Sequence, residues 1–391
     1  MQLPKEKLAI GVGVFSSMFA AGSVVGLAVG GSIINNFGWH ATFLSIVPVA
    51  IILWVVINRF IRDNKAESET SISLGQPPST KYSWKQPKAT AKSASRIDLK
   101  GAIALAVTIA SFLLALTYIG NSLNLNSSST QITVVSLAVL SIGSLALFVI
   151  IERRATSPLI ELSLMAHKVL LPANIVILIF GITMFMVYQT IPILVRSPQP
   201  LGFGGDAVST AMVQLPFMIV ILVFAPSSGF IVSKIGNLKP TVAGTIIMTI
   251  GFFSLLMFHS TEITVAINLA IVAAGISLIQ VGAFNITMEY TPLKYSGVSL
   301  GMSVVLFLIG SSVGPAIAGI YMQTHQELAN GVTTGSFPSA ISYNLIFLTA
   351  ALDFSNIYYA CNNFTKKDHS ITINVEVRNG SIEYEAGCTK R

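Results

Sequence analysis

A run of uncharged, mostly apolar residues between Gly11 and Asn35 restricts the fold of this chain more than any other feature. At a rise of roughly 1.5 Å per residue, about 20 helical residues cross the hydrocarbon core of a bilayer, so the run can span it. The run is too long, and has the wrong flanks, for a cleaved signal peptide. We therefore predict a transmembrane helix that is part of the mature structure.

Glycines recur along this predicted helix: Gly22, Gly26 and Gly30 are each four residues apart, and Gly31 follows. Residues four apart lie on one side of a helix, where the lack of side chains lets another backbone approach closely. Alternatively, glycine is simply common in membrane helices. On the first interpretation, these glycines pack against a neighbouring helix.

A second copy of the pattern favours the packing interpretation. Moving the sequence by 288 residues aligns Pro4–Ser32 with Pro292–Ile320. The shift pairs Gly13 with Gly301, Gly22 with Gly310, Gly26 with Gly314, and Gly31 with Gly319. A shared frame of proline and glycine indicates two related halves, as in transporters built from repeats. We expect Gly26 and Gly314 each to lie close to another helix.

The composition also indicates a membrane protein. Hydrophobic residues make up 53% of the chain and charged residues only 10%, against roughly 25% charged residues in soluble domains. Ten apolar segments can be marked off, at about 9–35, 41–61, 99–119, 132–151, 170–195, 207–232, 240–258, 264–288, 296–322 and 340–360. The sequence thus predicts an all-α membrane protein with about ten transmembrane helices.

The basic residues predict the orientation of these helices. With residue 1 in the cytoplasm, ten crossings place both termini there, and Arg196 becomes the one residue outside among the 23 Lys and Arg. Such an asymmetry follows the positive-inside rule. We therefore predict a multi-pass protein of the cell membrane whose net charge of +7 faces anionic lipid and not nucleic acid.

The residues outside the apolar segments give little indication of catalysis or metal binding. Cys361 and Cys388 fall in the tail on the predicted reducing side, and the spacing of Cys and His matches no metal-site pattern. The sequence also lacks a phosphate-binding Walker loop and a Gly-x-Ser-x-Gly motif. We predict no metal, no cofactor and no enzymatic activity.

Two polar stretches lie outside the predicted bundle. Residues 63–97 are rich in Ser, Thr, Lys, Pro and Gln, which predicts a disordered cytoplasmic linker. The tail at 361–391 alternates apolar and polar residues on both sides of Asn379 and Gly380, a pattern typical of a β-hairpin.

Four amide side chains lie inside the apolar segments. A buried amide must find a partner, which is either a neighbouring helix or a water-filled path, and both interpretations remain open. The four candidates for lining a substrate path are Gln189, Gln214, Gln280 and Asn285.

Asp353 is the carboxylate that comes closest to membrane depth, because Glu152, Asp206 and Glu289 lie at the ends of predicted helices. It interrupts the last apolar segment together with Ser355 and Asn356. It is therefore either a group that couples transport to protons or the frayed end of a poor helix.

Residues 1–352 resemble the major facilitator superfamily, in particular its fourteen-helix drug:proton antiporter branch. The first glycine helix is similar to that branch's Gly-xxx-Gly-Pro-xx-Gly-Gly pattern, with Leu27 in place of the proline, which the second copy keeps as Pro315. A turn between two helices resembles the family's Gly-xxx-Asp-Arg-x-Gly-Arg loop, with Ser233 replacing the acid. The residues that carry this loop are Gly229, Ser233, Lys234, Gly236 and Lys239.

The resemblance implies a major facilitator-type bundle that lacks its first four helices. Residues 1–62 then hold the last two helices of the N-terminal half, 98–152 two inserted central helices, and 153–360 the C-terminal half. The implied function is proton-coupled efflux of amphipathic organic compounds, with small molecules, protons, lipid and a missing N-terminal segment as partners. The protonation site is expected on that segment. Uptake or metabolite exchange by the same fold, and a non-transporting membrane fragment, remain alternatives.

Overall fold

The computed structural model describes residues 5–60, 98–121, 128–155, 165, 170–291, 296–328, 335–369, 373–378 and 381–386. Ten helices within these ranges are long and apolar enough to cross a membrane. The prediction of an all-α membrane bundle is confirmed. The predicted linker at 63–97 lies outside the described residues.

The first five helices are α1 (Lys5–Phe37), α2 (Trp39–Phe60), α3 (Leu99–Asn121), α4 (Ser128–Arg154) and α5 (Leu170–Arg196). The next five are α6 (Ala207–Ile235), α7 (Leu238–Met257), α8 (Glu262–Glu289), α9 (Ser296–Thr324) and α10 (Ala340–His369). Following the charge-based prediction, the end of the bundle that carries Arg196 is called the outer end and the opposite end the inner end.

Helices α5 to α10 surround the main hydrophobic core, in which Phe180, Phe217, Phe252 and Phe347 are fully buried. The pairs that pack most extensively are α1 with α6, α5 with α9, and α8 with both α6 and α7. Helix α2 contacts α1, and its apolar span contains no buried residue. In a bilayer such a surface faces lipid or further helices.

Helices α3 and α4 form a pair beside this bundle, and α3 contacts α9. The hydroxyl of Ser144 donates to the carbonyl of Ala104 at 2.8 Å, and that of Ser141 donates to the carbonyl of Thr108 at 3.1 Å. Small hydroxyl side chains let two helices approach closely and add hydrogen bonds between them, which explains how this pair holds together in lipid.

Helix α10 differs from the prediction. The sequence indicates a poor helix that ends near residue 360, but α10 continues without a break to His369. Ser355 returns its hydroxyl to the carbonyl of Leu352 at 3.2 Å, so that this polar side chain is satisfied by its own helix. The interpretation of Asp353 as a frayed end is therefore wrong.

Four short strands accompany the helices. In the tail, β3 (Ile373–Arg378) pairs with β4 (Ser381–Ala386) in antiparallel register, which is the hairpin that the alternating pattern predicts. Its cytoplasmic position stays a prediction. Between α9 and α10, β1 (Gln326–Leu328) pairs with β2 (Ser336–Pro338), a ribbon that the sequence analysis missed because it lacks an alternating pattern.

Candidate functional site

The second glycine helix, α9, packs its glycines directly on the backbone of α5. A Cβ built at Gly314 would collide with the carbonyl oxygen of Ile182, and one at Gly310 with that of Leu178. On the α5 side, a Cβ at Gly181 would lie 2.6 Å from the carbonyl oxygen of Phe307. Both helices therefore use glycine to bring their backbones into contact, and Pro315 follows this contact within α9.

The first glycine helix, α1, packs on α6 with different glycines. A Cβ at Gly13 would lie 2.5 Å from the carbonyl oxygen of Ala225, and one at Gly31 would lie 3.2 Å from Ala211 Cβ. From the other side, a Cβ at Gly229 of α6 would lie 2.7 Å from the carbonyl oxygen of Ala9. The contact therefore extends along α6 from its inner to its outer end.

The remaining glycines of the pattern have free space beside them. No atom of the described residues lies within 4 Å of a Cβ built at Gly22, Gly26 or Gly30, nor at Gly301 or Gly319. The described residues therefore do not make the expected close contact at Gly26, because α1 turns a different face toward α6.

Gly13 and Gly31 are five helical turns apart and share one face of α1, whereas Gly22 lies on the opposite face. Helix α1 presents the first face to α6. Helix α9 presents the second face, formed by Gly310 and Gly314, to α5. The two copies of the repeat thus use opposite faces.

The four candidate path residues lie at two levels of the bundle. Gln189 and Gln214 each lie seven residues, or roughly 10 Å, from the outer ends of α5 and α6. Gln280 and Asn285 lie in the inner third of α8. The structure therefore does not bring all four together.

Gln214 has a structural partner. It is 3% exposed, and its amide nitrogen donates to the carbonyl oxygen of Tyr188 at 3.0 Å. That carbonyl lies four residues before Pro192, which has no N–H to bond it within α5. Gln214 of α6 thus satisfies the carbonyl that the proline frees, which is the neighbouring-helix alternative for this amide.

The other amides differ in exposure. Asn285 is 2% exposed and donates to the carbonyl of Val281 in its own helix at 2.8 Å. Gln280 is half-buried, and Gln189 is exposed on α5. Gln189 and Gln280 are therefore the two amides with surface that a ligand could reach.

A small cavity lies between α5, α6, α7 and α8, beside the Gln214 contact. Its walls include Tyr188, Phe217 and Phe252, and its volume is about 10 Å³. That volume holds about one water molecule, whereas a site for a drug-sized ligand needs roughly 300 Å³ or more. A ligand between these helices would therefore require them to separate.

The carboxylate of Asp353 lies inside the bundle. Its Oδ2 accepts a hydrogen bond of 3.4 Å from the hydroxyl of Thr183 on α5. Thr183 lies midway between Leu170 and Arg196, the two ends of α5, so that Asp353 is at the middle level of the helices. The sequence could not indicate this pair, whose members are 170 residues apart.

The loop between α6 and α7 keeps its cations at the surface. Lys234, Lys239 and Ser233 are exposed, and Gly236 ends α6 with φ +85°. Asn237, which follows, donates to the carboxylate of Glu289 at the inner end of α8. An acid from α8 thus holds this turn in a chain whose own loop has Ser233 in place of the family's acid.

The outer end carries a second link that the sequence analysis missed. Asp206 caps the N-terminus of α6 by accepting from the Ser209 N–H at 2.8 Å, and it accepts from the Asn35 amide of α1 at 2.6 Å. These hydrogen bonds, first that of the Ser209 backbone, lower the pKa of Asp206 to about 2. A negative charge at this position therefore joins α1 to α6 at neutral pH.

Comparisons with known proteins agree with this architecture. The Major Facilitator Superfamily model matches residues 1–315. Multidrug resistance protein Stp of Mycobacterium tuberculosis is 23% identical over 81% of this chain and 52% of its own length. Multidrug transporter protein MdtP of Bacillus subtilis is 22% identical over 79% of this chain and 52% of its own length. Quinolone resistance protein NorB of Staphylococcus aureus is 22% identical over 78% of this chain and 60% of its own length.

The chain thus spans between about half and three fifths of the length of these relatives. The family model covers most of the sequence and begins at its first residue. The ten apolar helices described above fit the same family. The chain belongs to the major facilitator superfamily, a family of membrane transporters.

Proposed function

We propose that this chain forms the larger part of a proton-coupled exporter of amphipathic organic compounds. The observation that carries the proposal is the contact of α1 with α6, in which glycines at both ends bring two backbones together. By the 288-residue repeat, α1 belongs to one half and α6 to the other. Transporters of this kind alternate access by rocking one repeat against the other, and a smooth contact without side chains permits that motion.

The substrate class follows from what lines the interior. The walls of the small cavity between α5, α6, α7 and α8 are aromatic and aliphatic, without a charged side chain among the described residues. Gln189 and Gln280 can hydrogen-bond a polar group, while Gln214 bonds the backbone of α5 and Asn285 that of its own helix. Such a path suits compounds with a large apolar body. The names of the relatives, which refer to multidrug and quinolone resistance, support the same class.

We also propose that further helices complete the bundle. Helix α5 covers the Gly310 and Gly314 face of α9, and the repeat matches that face with Gly22 and Gly26 of α1. A helix equivalent to α5 in the other half would cover Gly22 and Gly26. None of the described helices takes that position. The greater length of the relatives supports an N-terminal segment as its source.

The proposed orientation places both termini in the cytoplasm. Among the described cations, Lys234 and Lys239 lie at one end of the bundle and Arg196 at the other. The loops at the Lys234 end hold the other basic residues of the sequence, which favours that end as the cytoplasmic one.

The proposal is tested in proteoliposomes with ethidium as substrate and a trapped pH dye. Under an imposed pH gradient, residues 1–391 co-expressed with a restored upstream segment should exchange ethidium for protons. The chain alone should not, because it would lack the further helices that we propose. Gly31→Leu should abolish exchange by the completed protein, whereas Val139→Leu, at a position 64% exposed on α4, should not.

The alternatives give different results in the same assay. Uptake in the direction of the proton gradient would identify an importer. Exchange that does not depend on the gradient would identify a metabolite exchanger. Lack of flux with the upstream segment present would identify a non-transporting fragment and overturn the proposal.

A further inference from the structure

We propose that Asp353 binds the transported proton and receives it from the outer end through the interface of α9 and α10, past Thr349, Tyr321 and His325. The proposal deepens the proposed function, on which its role in transport rests. It assigns the coupling site to this chain, whereas the resemblance implies a site on an N-terminal segment.

The carboxylate of Asp353 is half-buried at the middle level of the bundle, where its hydrogen-bond partner is the neutral hydroxyl of Thr183 at 3.4 Å. An ionised carboxylate at that depth is costly unless a cation is near, and such residues usually serve an ion or proton path. Continuity of α10 to His369 fixes the group in place.

Among the described residues, the elements packed against α10 bring no cation to that level. They are α5, α7, α9 and β2. Arg196 lies at the outer end of α5, Lys239 at the inner end of α7, and α9 has no Asp, Glu, Lys or Arg. The remaining titratable groups are Tyr188 on α5, His259 beyond the outer end of α7, Tyr321 on α9, and His325, which follows α9. A proton is therefore the available counter-charge for Asp353.

A polar route leads from Asp353 toward the outer end. Side chains on a helix lean toward its N-terminus, so that Asp353 leans outward, over the turn that carries Thr349. The hydroxyl of Thr349 donates to the carbonyl of Leu345 at 2.8 Å. The hydroxyl of Tyr321 lies 3.2 Å from Thr349 Oγ1, and it must donate there because the single proton of Thr349 is already used.

The route continues along α9 to the surface. Tyr321 leans inward from near the outer end of α9, and His325 lies one turn beyond it. The Nδ1 atom of His325 is 3.0 Å from the Oγ1 atom of Thr324, and Thr324 is exposed. Hydroxyl and imidazole groups can pass a proton by accepting it on one side and releasing it on the other.

The inner direction from Asp353 contrasts with this route. One turn inward from Asp353 on α10 is Ile357, which is 3% exposed. Beside it, Phe354 is fully buried and its ring lies 5.7 Å from that of Phe252 on α7. Apolar side chains also pack on the outer side of Asp353, at Phe347 and Ala350. The outer direction differs in that it offers the paired hydroxyls of Thr349 and Tyr321. A polar route toward one end gives the one-sided access that alternating access requires.

The proton balance of the step is simple. A proton from water at the outer end adds to a carboxylate oxygen of Asp353, and the site changes from −1 to neutral. After the helices rearrange, the same O–H bond breaks toward the inner side, and the carboxylate is restored. One proton enters the cell side for each cycle, and no other reactant is needed.

The test measures the proton on Asp353 directly. Dicyclohexylcarbodiimide, an apolar reagent, modifies protonated carboxyl groups in membranes, and mass spectrometry locates the adduct. The full chain is reconstituted in vesicles, and the pH on each side is set separately. Lowering the pH at the His325 side from about 8 to about 6 should raise labelling of Asp353 several-fold, because the proton on its carboxylate is proposed to come from that side. The same change at the other side should not.

Variants test the proton-binding site at Asp353 separately from the proposed route through Tyr321 and His325. Asp353→Asn should remove the adduct. Tyr321→Phe combined with His325→Gln should reduce the response of labelling to the outer pH several-fold, while Tyr118→Phe, at an exposed position on α3, should leave it unchanged. Monodisperse elution shows that each variant is folded.

Each result of these experiments supports or overturns a specific part of the proposals. Labelling that ignores the outer pH, follows the inner pH or never occurs at Asp353 would overturn the proposal. Labelling that follows the outer pH without drug exchange by the completed protein would support the proton site and overturn only the proposed export. If the completed protein still exchanges drug for protons with Asp353→Asn, only the role of Asp353 in transport is overturned.

Discussion

Gly314 of α9 lies against the carbonyl oxygen of Ile182 on α5 so closely that no side chain fits between them. We predict that Gly314→Leu lowers the folded yield, because an isobutyl group in a close-packed contact strains it by roughly 1–3 kcal/mol or forces the helices apart. The measurement is monodisperse yield in detergent, with Val139→Leu as the lipid-facing control. Equal yields for both variants would show that the contact tolerates a side chain.

Gly26→Leu should behave differently. No atom of the described residues lies within 4 Å of a Cβ at this position, so residues 1–391 should fold with it in normal yield. If a helix from an upstream segment covers this face, the same variant should prevent that segment from co-purifying. Co-purification unaffected by leucine would place the segment elsewhere.

The sequence predicted the helices and their number because a segment that crosses lipid must be apolar and must form its backbone hydrogen bonds internally, as a helix does. Hydropathy identifies such apolar segments directly. It also indicated that glycines make close contacts, but not which ones. Gly22 and Gly310 occupy the same position in the repeat, yet only Gly310 meets a described helix. The choice depends on the neighbours of each helix, which a pattern along one segment does not contain.

The sequence predicted individual residues of the candidate site but not which residues contact each other. The sequence singled out Asp353 and Gln214, but their partners Thr183 and Tyr188 carry no motif. The same is true of the contact between Asn237 and Glu289, which lie 52 residues apart in the sequence. Contacts between distant segments follow from packing, so that only the structure could supply them.

The link between α1 and α6 should weaken in acid. Hydrogen bonds lower the pKa of Asp206 to about 2, below its value in the unfolded chain near 4. The unfolded state therefore takes up a proton first as the pH falls, and the contribution of Asp206 to stability, complete above about pH 5, is lost through about pH 2. We expect the melting temperature of the wild type to exceed that of Asp206→Ala at pH 7, with a gap that narrows below about pH 4. A gap that does not change with pH would contradict a role for the charge.

The orientation can be tested with single cysteines at three positions outside the described residues. After replacement of Cys361 and Cys388, a cysteine at Ser127 should react with an impermeant maleimide in intact cells. Cysteines at Lys85 and Lys390 should react only after lysis, because the basic loops are predicted to be cytoplasmic. Labelling at residue 85 but not at 127 in intact cells would reverse the orientation.

The hydrogen bond from Gln214 to Tyr188 should matter only because of Pro192. The proline leaves the Tyr188 carbonyl without its helical donor, and the amide of Gln214 replaces that donor at 3.0 Å. Gln214→Leu should therefore destabilise the protein by about 1–3 kcal/mol, the cost of a buried carbonyl without a partner. In a Pro192→Ala background the alanine N–H can bond the carbonyl, so that Gln214→Leu should then cost much less. A double-mutant cycle of unfolding free energies in detergent measures the difference as a coupling energy between the two positions. Additive effects on the unfolding free energy would mean that Gln214 stabilises the protein through another contact. If Gln214→Leu abolishes export in both backgrounds, the side chain of Gln214 instead lines the substrate path.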